Sequence, residues 1–303
     1  MSDPAVTIRK VDKNYGNVRA VQSLDLDVPG GSLVGFLGPN GAGKSTTIRM
    51  IMSIIYPDAG SIGVLGSDAL KAKDRIGYLP EERGLYRKMK IAQFLRYVAK
   101  LKGLSSRQAD EKIAWWLHRL ELPDVLKRRC EELSKGQQQK LQFIAAVVHD
   151  PELIILDEPF SGLDPVNAAL LGSIIKELNE RGRTIIFSTH VLHQAEELCD
   201  RVFLINHGIK LLDDPIETVH DRYNPRVLSM ELMAPRDIEL PSIDGVEEMS
   251  RKGPLHEFHL AQNADVQSIM QWLTSNLDIR SLELRRPTLN DIFVELVRGA
   301  GTS

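Results

Sequence analysis

Cysteine is scarce in this chain, with two in 303 residues. Cys130 and Cys199 lie far apart and lack metal-ligand spacing, which excludes a disulfide framework or a zinc knuckle and predicts reduced thiols in a cytosolic protein. An excess of either charge is missing as well. Thirty-eight Lys and Arg against forty-one Asp and Glu leave a net charge of -3, so nothing electrostatic argues for a nucleic-acid partner. Long hydrophobic runs are absent. Stretches such as Leu153–Leu156 and Phe143–Val148 fall far short of the ~18 residues that a membrane-spanning helix needs, and residues Met1–Lys10 lack the basic-then-apolar pattern of a signal peptide. Work at a membrane would therefore need another chain to do the spanning. No internal repeat and no low-complexity tract is found.

What is there is an ordinary globular composition, 43% hydrophobic and 26% charged, with length for two domains. The string Gly38-Pro-Asn-Gly-Ala-Gly-Lys44-Ser45-Thr46 has the form G-x-x-x-x-G-K-[ST]. An apolar run, Leu33–Leu37, precedes it and an amphipathic run follows, which is the strand–turn–helix setting in which such a string holds phosphate. Glycines let backbone N–H groups converge on one concavity. The helix beginning near Lys44 adds its unpaired N–H groups and positive dipole end. Lys44 supplies a charge for the β- and γ-phosphates and the Ser45 hydroxyl a ligand for Mg²⁺. The string predicts a nucleoside triphosphate site.

Along the chain, short strands are predicted at Val6–Val11, Val18–Val28, Leu33–Leu37, Ser61–Leu65 and Arg75–Leu79, with a helix over 44–55. From Met89 to Leu133 the pattern is helical. Ile91, Phe94, Leu95, Val98 and Leu101 share one face, and Ile113, Trp116, Leu117 and Leu120 share another, with Ser105 or Ser106 as cap. A helix over Gln137–Val148 leads to a strand at Leu153–Leu156. Then come a helix over Val166–Arg181, a strand at Thr184–Ser188, a helix over Val191–Leu198 and a strand–turn unit at Val202–Leu212. Alternating strands and helices predict an α/β domain with a mostly parallel sheet. The character changes near Arg222–Pro225. Alternation at Leu228, Met230, Leu232 and at His256, Phe258, Leu260 predicts half-exposed strands. An amphipathic helix over 264–275, a strand at Ile279–Arg285 and a final helix from Thr288 complete a small α+β domain. The predicted domains are 1–222 and 223–303.

Leu153-Ile-Ile-Leu156 ends in Asp157 and Glu158. A strand buried on both faces delivers both acids at its carboxyl end, where ligands sit in open α/β sheets. Two acids there can equally cap the next helix. Beside a phosphate loop, Asp157 reads as a Mg²⁺ ligand and Glu158 as the acceptor of a proton from an attacking water. His190 closes the Thr184–Ser188 strand and is either a structural histidine or, if that strand neighbours Asp157, a group reaching toward the γ-phosphate. Ser134-Lys135-Gly136-Gln137, before the Gln137–Val148 helix, is by itself a capped helix N-terminus.

Taken together, these strings resemble the ATP-binding-cassette ATPases. The resemblance covers residues 6 to about 215 and comprises Tyr15-Gly16, Gly38–Thr46, Ser134–Gln138, Asp157-Glu158, Ser161–Asp164 and His190, in the family's order. It implies a P-loop NTPase cassette: a mostly parallel sheet, an antiparallel β-subdomain and a helical insert at about 89–133. It further implies ATP with Mg²⁺ between two copies of the chain arranged head to tail. Tyr15 would stack on adenine. Gly38, Asn40, Gly41, Ala42, Gly43, Lys44, Ser45 and Thr46 would surround the phosphates, while Ser134, Gly136, Gln137 and Asp164 would act on the other copy's ATP. Ser45, Asp157 and Glu81 would serve the metal, with Glu158 and His190 catalytic.

Two positions depart from the family's commonest pattern: Lys135 where glycine is usual, and Glu81 where most members have glutamine. The string Tyr78–Tyr86 and the ending Pro287–Leu296 resemble the ATP-binding subunits of type 2 bacterial exporters of the sodium- or drug-efflux kind. That implies a polytopic membrane permease as partner and a place at the cytoplasmic face of the membrane. A soluble ATPase acting on ribosomes or in DNA repair, an importer subunit and a catalytically idle regulatory subunit are the alternatives. The single cassette, the short insert and the intact Glu158 and His190 weigh against the ribosomal, repair and idle readings; the exporter-like ending favours export.

Overall fold

A computed structural model describes residues 3–82, 84–223, 227–234, 241–261, 263–285 and 287–300. The chain divides into two compact units, Met1–Ile216 and Glu217–Ser303. In the first unit the order is β1 (Pro4–Tyr15), β2 (Val18–Pro29), β3 (Leu33–Leu37), α1 (Lys44–Ile51), β4 (Ala59–Val64) and β5 (Ile76–Leu79). Two helices of the insert follow, α2 (Ile91–Leu101) and α3 (Ser106–Arg119), then α4 (Lys135–Val147), β6 (Leu153–Asp157) and α5 (Pro165–Glu180). The unit closes with β7 (Thr184–Thr189), α6 (Leu192–Leu198), β8 (Arg201–Asn206) and β9 (Ile209–Pro215).

A six-stranded sheet in the order β5-β6-β7-β3-β8-β9 is parallel up to β8, and only β9 runs antiparallel. Strands β2, β1 and β4 form a separate antiparallel sheet. This is the P-loop NTPase α/β fold. Every residue of β3, β6 and β7 is buried, as near-continuous apolar strands of a parallel sheet must be. Between the layers Phe36 and Phe203 stack at 4.6 Å in a core with Ile48, Ile155 and Ile186.

Local differences from the predicted elements have local causes. Helix α1 stops at Ile51 rather than 55, where Ser53 turns to a left-handed φ of 53°. Leu101 is 62% exposed instead of joining the apolar face of α2, because the buried row is Ile91, Leu95 and Ala99, four residues apart. Ser105 is the residue that caps α3, accepting from Gln108 N. The Val202–Leu212 region is the antiparallel hairpin β8–β9.

The second unit contains α7 (Ile216–Arg222, with Ile216 at the junction), β10 (Val227–Leu232), β11 (Val246–Lys252), β12 (Leu255–Leu260), α8 (Val266–Asn276), β13 (Ile279–Arg285) and α9 (Leu289–Ala300). Its antiparallel sheet, β11-β12-β10-β13, packs Leu228, Met230 and Phe258 against Ile269 and Leu273 of α8. Elements α7 and β11 are not among the predicted ones. Strand β10 lies between two partners and is buried on both faces, not half-exposed. Glu257, 3% exposed on its neighbour β12, is met by Arg285 Nη1 at 2.7 Å. The division falls at Ile216 rather than after 222, and His220 Nδ1 hydrogen-bonds the Pro287 carbonyl at 2.9 Å within this unit. Asn224 and Pro225, part of the stretch that marks the expected boundary, lie outside the described residues, as does Arg83.

Just before β6, the His149 ring bonds the Ile76 carbonyl through Nε2 at 3.1 Å while Nδ1 is buried without a partner. Burial, with Lys102 nearby, pushes its pKa down to about 4 from an ordinary 6.5. Because the folded value is the lower one, the stability from keeping this ring neutral is complete above pH 6.5 and is lost as pH falls through about 4. His149→Asn is therefore expected to lose less of its stability than wild type between pH 7 and pH 4.5, as read from urea midpoints.

Candidate active site

In-register pairing sets three strand ends side by side, with Leu37 opposite Thr189 and Asp157 opposite Ser188. The turns that follow β3, β6 and β7 thus open on one edge of the sheet. After β3 the loop folds tightly against its surroundings. At Gly38, where φ is 153°, an added Cβ would lie 2.2 Å from the Ile205 carbonyl oxygen; at Gly43, with φ 107°, it would lie 2.4 Å from that of Ala20. Only glycine fits either position. Helix α1 then starts at Lys44 with no side-chain cap and no acidic residue in its first turn, so its leading N–H groups and dipole are left for an anion.

Lys44 is 6% exposed and folds back over the loop, its Nζ donating to the Gly38 carbonyl at 2.7 Å and to that of Pro39 at 3.2 Å. Burial lowers its pKa, and Glu158, Asp157 and Glu81 pull it back up. Asp157 is 2% exposed. Burial raises its pKa; the Ser188 hydroxyl, which donates to Oδ1, opposes the rise, and Glu81 and Glu158 add to it. Glu158 has a left-handed φ of 50°. Its backbone N–H donates to the Ser188 carbonyl at 3.0 Å. Its Oε1 accepts from His190 N at 3.0 Å and lies 2.7 Å from His190 Nδ1, while Oε2 accepts from Thr189 Oγ1 at 3.3 Å.

A cavity of about 510 Å³ joins these groups. Asn40, Gly41, Ala42, Gly43, Lys44, Ser45, Thr46, Glu81, Asp157 and Glu158 line it. Gly38 backs the loop, and His190 borders the site through Glu158. Asn17, Val18, Arg19, Ala20, Gln22 and His207 also line the cavity and were not singled out by the sequence. They come from the start of β2 and from the β8–β9 turn, joined by Gln22 Nε2 donating to the His207 carbonyl at 2.9 Å. A contact across 185 residues leaves no local signal. Among the described residues no group of three His, Cys, Asp or Glu could hold a metal alone. Ser45 and Asp157 suit a hard cation that also takes oxygens from a phosphate.

Tyr15, Ser134, Gly136, Gln137 and Asp164 do not line this cavity. Tyr15 is 49% exposed, with Lys13 Nζ 5.7 Å from its ring centroid. Ser134 caps α4 in a reciprocal pair, Gln137 N donating to Ser134 Oγ at 3.2 Å and Ser134 N to Gln137 Oε1 at 3.1 Å. Gly136 abuts the next loop, since a Cβ there would lie 3.4 Å from the Gly162 carbonyl. Asp164 ends that loop by capping α5, and Asn167 holds its carboxyl below the usual range. A larger open groove at the opposite strand ends is lined by Arg75 and Glu152, already paired at 2.6 Å.

The fold and its glycine loop together define a domain of the nucleotide-binding P-loop NTPase class. Residues 21–161 match the ABC transporter family model, and residues 215–297 match that of the C-terminal domain of DrrA1-3-like ATP-binding proteins. An uncharacterized ABC transporter ATP-binding protein of Bacillus subtilis, YhaQ, is 40% identical over 96% of this chain and 98% of its own. The Nod factor export ATP-binding protein I of a Rhizobium strain is 33% identical over 98% of both chains. A solved ATP-binding subunit of an ABC transporter superposes with a TM-score of 0.68 at 28% identity, covering 72% of this chain and 93% of that one. The chain belongs to the ATP-binding proteins of ABC transporters. Among the described residues no helix is long and apolar enough to cross a membrane.

Gly43→Ala is expected to weaken ATP binding by at least ~30-fold, because the left-handed backbone and the clash with Ala20 together cost about 2 kcal/mol or more. Titration with a fluorescent ATP analogue checks this; unchanged affinity would show that the loop has room to relax.

Proposed function

We propose that two copies of this chain hold two ATP molecules with Mg²⁺ at a shared interface, and that hydrolysis drives a separate membrane-spanning exporter subunit. The observation that carries this reading is the distribution of nucleotide groups over two surfaces of one unit. The glycine loop, Asp157 and Glu158 line one cavity, while Ser134, Gly136 and the Ser161–Asp164 loop adjoin one another outside it. A second copy is the natural source of a triphosphate for the second set.

In this mechanism Lys44 exchanges its bonds to the Gly38 and Pro39 carbonyls for the β- and γ-phosphates, and the first-turn N–H groups of α1 bind the same oxygens. Ser45 and Asp157 hold the Mg²⁺, which when bound neutralises charge on the transferring phosphoryl group. Glu158 takes a proton from water as the water oxygen bonds to the γ-phosphorus and the bond from that phosphorus to the bridging oxygen breaks, its electron pair leaving with ADP. His190 and Thr189 fix that carboxylate, and the left-handed backbone of Glu158 is the kind of strained conformation that marks a positioned catalytic group. Tyr15, exposed at the end of β1, offers a face for adenine.

Coupling to the membrane rests on a surface made by the helical insert and the loop that precedes it. Tyr86 and Tyr97, each about half exposed, meet edge to face at 6.0 Å, with Phe94 6.2 Å from Tyr86. Exposed aromatic clusters of this kind suit a protein partner. The permease holds the chain at the cytoplasmic face of the membrane. Export as the direction is supported by the DrrA-like C-terminal match and the Nod factor export relative.

Glu158→Gln preserves the shape and removes the base. ATP affinity is expected to stay near wild type and steady-state hydrolysis to fall at least ~100-fold, while ATP holds the variant as a dimer on size exclusion. Undiminished turnover would remove Glu158 as the base, and a monomer at saturating ATP would rule out the shared interface.

A further inference from the structure

We propose that Gln139 is a positioning residue for the general base: from inside helix α4 its amide holds the turn on which Glu158 stands. The inference rests on the nucleotide reading above and adds to it a group that lies outside the cavity.

Helix α4 buries three polar side chains beside its apolar ones, Gln139 at 2% exposure and Lys140 and Gln142 at 5%. Polar groups so withdrawn from water need partners. Gln139 finds two of them on one turn. Its Nε2 donates to the Pro159 carbonyl at 2.9 Å and to that of Glu158 at 3.3 Å. Three residues along the same face of α4, Gln142 donates from Nε2 to the Glu82 carbonyl at 3.5 Å. Buried amides of a single helix thus hold the segments that follow β6 and β5.

The contact bears on the backbone of Glu158. A left-handed φ of 50° is costly for a residue with a side chain and persists only where neighbours over-determine it. On the strand side the Glu158 N–H donates to the Ser188 carbonyl at 3.0 Å, and its carbonyl accepts from Ser161 N at 3.1 Å as well as from Gln139. Pro159 follows with no N–H to offer, so the backbone there can be held only through its carbonyl, which Gln139 takes. Without that donor two successive peptides lose a shared anchor, and the Glu158 carboxylate shifts from the place where His190 and Thr189 meet it. A displaced base loses rate, whereas the glycine loop and Lys44, which Gln139 does not touch, keep their hold on phosphate. The same helix starts at the Ser134 cap. In the dimer proposed above, one element therefore closes over the other copy's ATP and supports the base of its own site.

The experiment measures hydrolysis of radiolabelled ATP and binding of a fluorescent ATP analogue by the full chain carrying Gln139→Leu, which keeps the bulk and removes the donor. Gln139→Met, unbranched like glutamine, is the second variant, and thermal melting verifies that each is folded. Both are expected to lower kcat about tenfold while KM and the dissociation constant stay within about twofold of wild type. Combined with Glu158→Gln, Gln139→Leu is expected to lower the residual rate no further, because the base it positions is already gone. Unchanged kcat in the single variants would overturn the proposal. So would a tenfold loss that persists beside Glu158→Gln, a loss matched by an equal fall in ATP affinity, or a failure of both variants to fold; each makes Gln139 a support of the fold at large. Wild type that binds no nucleotide would refute the nucleotide reading itself, a result distinct from all of these.

Discussion

In a parallel sheet every strand ends on the same edge, and the in-register pairing of β6, β7 and β3 decides which groups meet there. Asp157 opposite Ser188 makes the hydroxyl a ready donor to the carboxylate; one residue further along each strand, Glu158 meets Thr189 and His190. A slip of one residue would turn each side chain to the other face of the sheet. Every residue of these strands is buried, which places them in the middle of the sheet. The chemistry at the edge is therefore set by strand interiors that never touch a ligand.

That dependence explains which parts were legible in the residues alone. Leu33–Leu37, Leu153–Leu156 and Thr184–Ser188 announce buried strands by composition, and the residues following them lie at carboxyl ends as a consequence. Gly38 and Gly43 are legible for a different reason: their backbone demands exclude every other residue type. The far wall of the cavity carries no such mark. Arg19, Gln22 and His207 reach it through a contact between the start of β2 and a turn far along the chain. Strand β11 was missed because Val246-Glu-Glu-Met-Ser-Arg-Lys252 has neither the alternation nor the apolar content of a strand; pairing with β12 makes it one. Helix α7 has seven residues, with Ile216 and Val219 its buried apolar side chains, too few for a periodic signal. Half-exposure of β10 was inferred from alternation along one strand, which reports the apolar face and cannot tell that neighbours cover the other.

Three features of the site oppose the stability of the fold that contains it. Glu158 sits in a left-handed conformation, Lys44 is an ammonium withdrawn from water, and Asp157 is a carboxylate withdrawn from it. Each is tolerated because neighbours over-determine it: Ser188 and His190 clamp Glu158, two loop carbonyls occupy Lys44, and Ser188 donates to Asp157. Strained or desolvated groups held in this way are pre-organised, so that beyond the exchange of partners at Lys44 little reorganisation is needed when a ligand's charge arrives.

The same reasoning bears on why the Ser134–Gly136 turn and the Ser161–Asp164 loop adjoin one another. Both are helix N-termini with a side-chain cap, Ser134 Oγ accepting from Gln137 N and the Asp164 carboxylate from Asn167 N. They carry a cap of their own, unlike α1, whose leading turn has no side-chain cap. A surface of capped helix ends gains from a polyphosphate only what its dipoles add, whereas the glycine loop gains partners for donors otherwise left to water. Nucleotide would therefore bind first and most tightly at the glycine loop, and the capped surface of a second copy would close over it afterwards. In the function proposed above, that order would make dimer closure a consequence of ATP binding and would give the triphosphate control of a motion for a membrane partner to use.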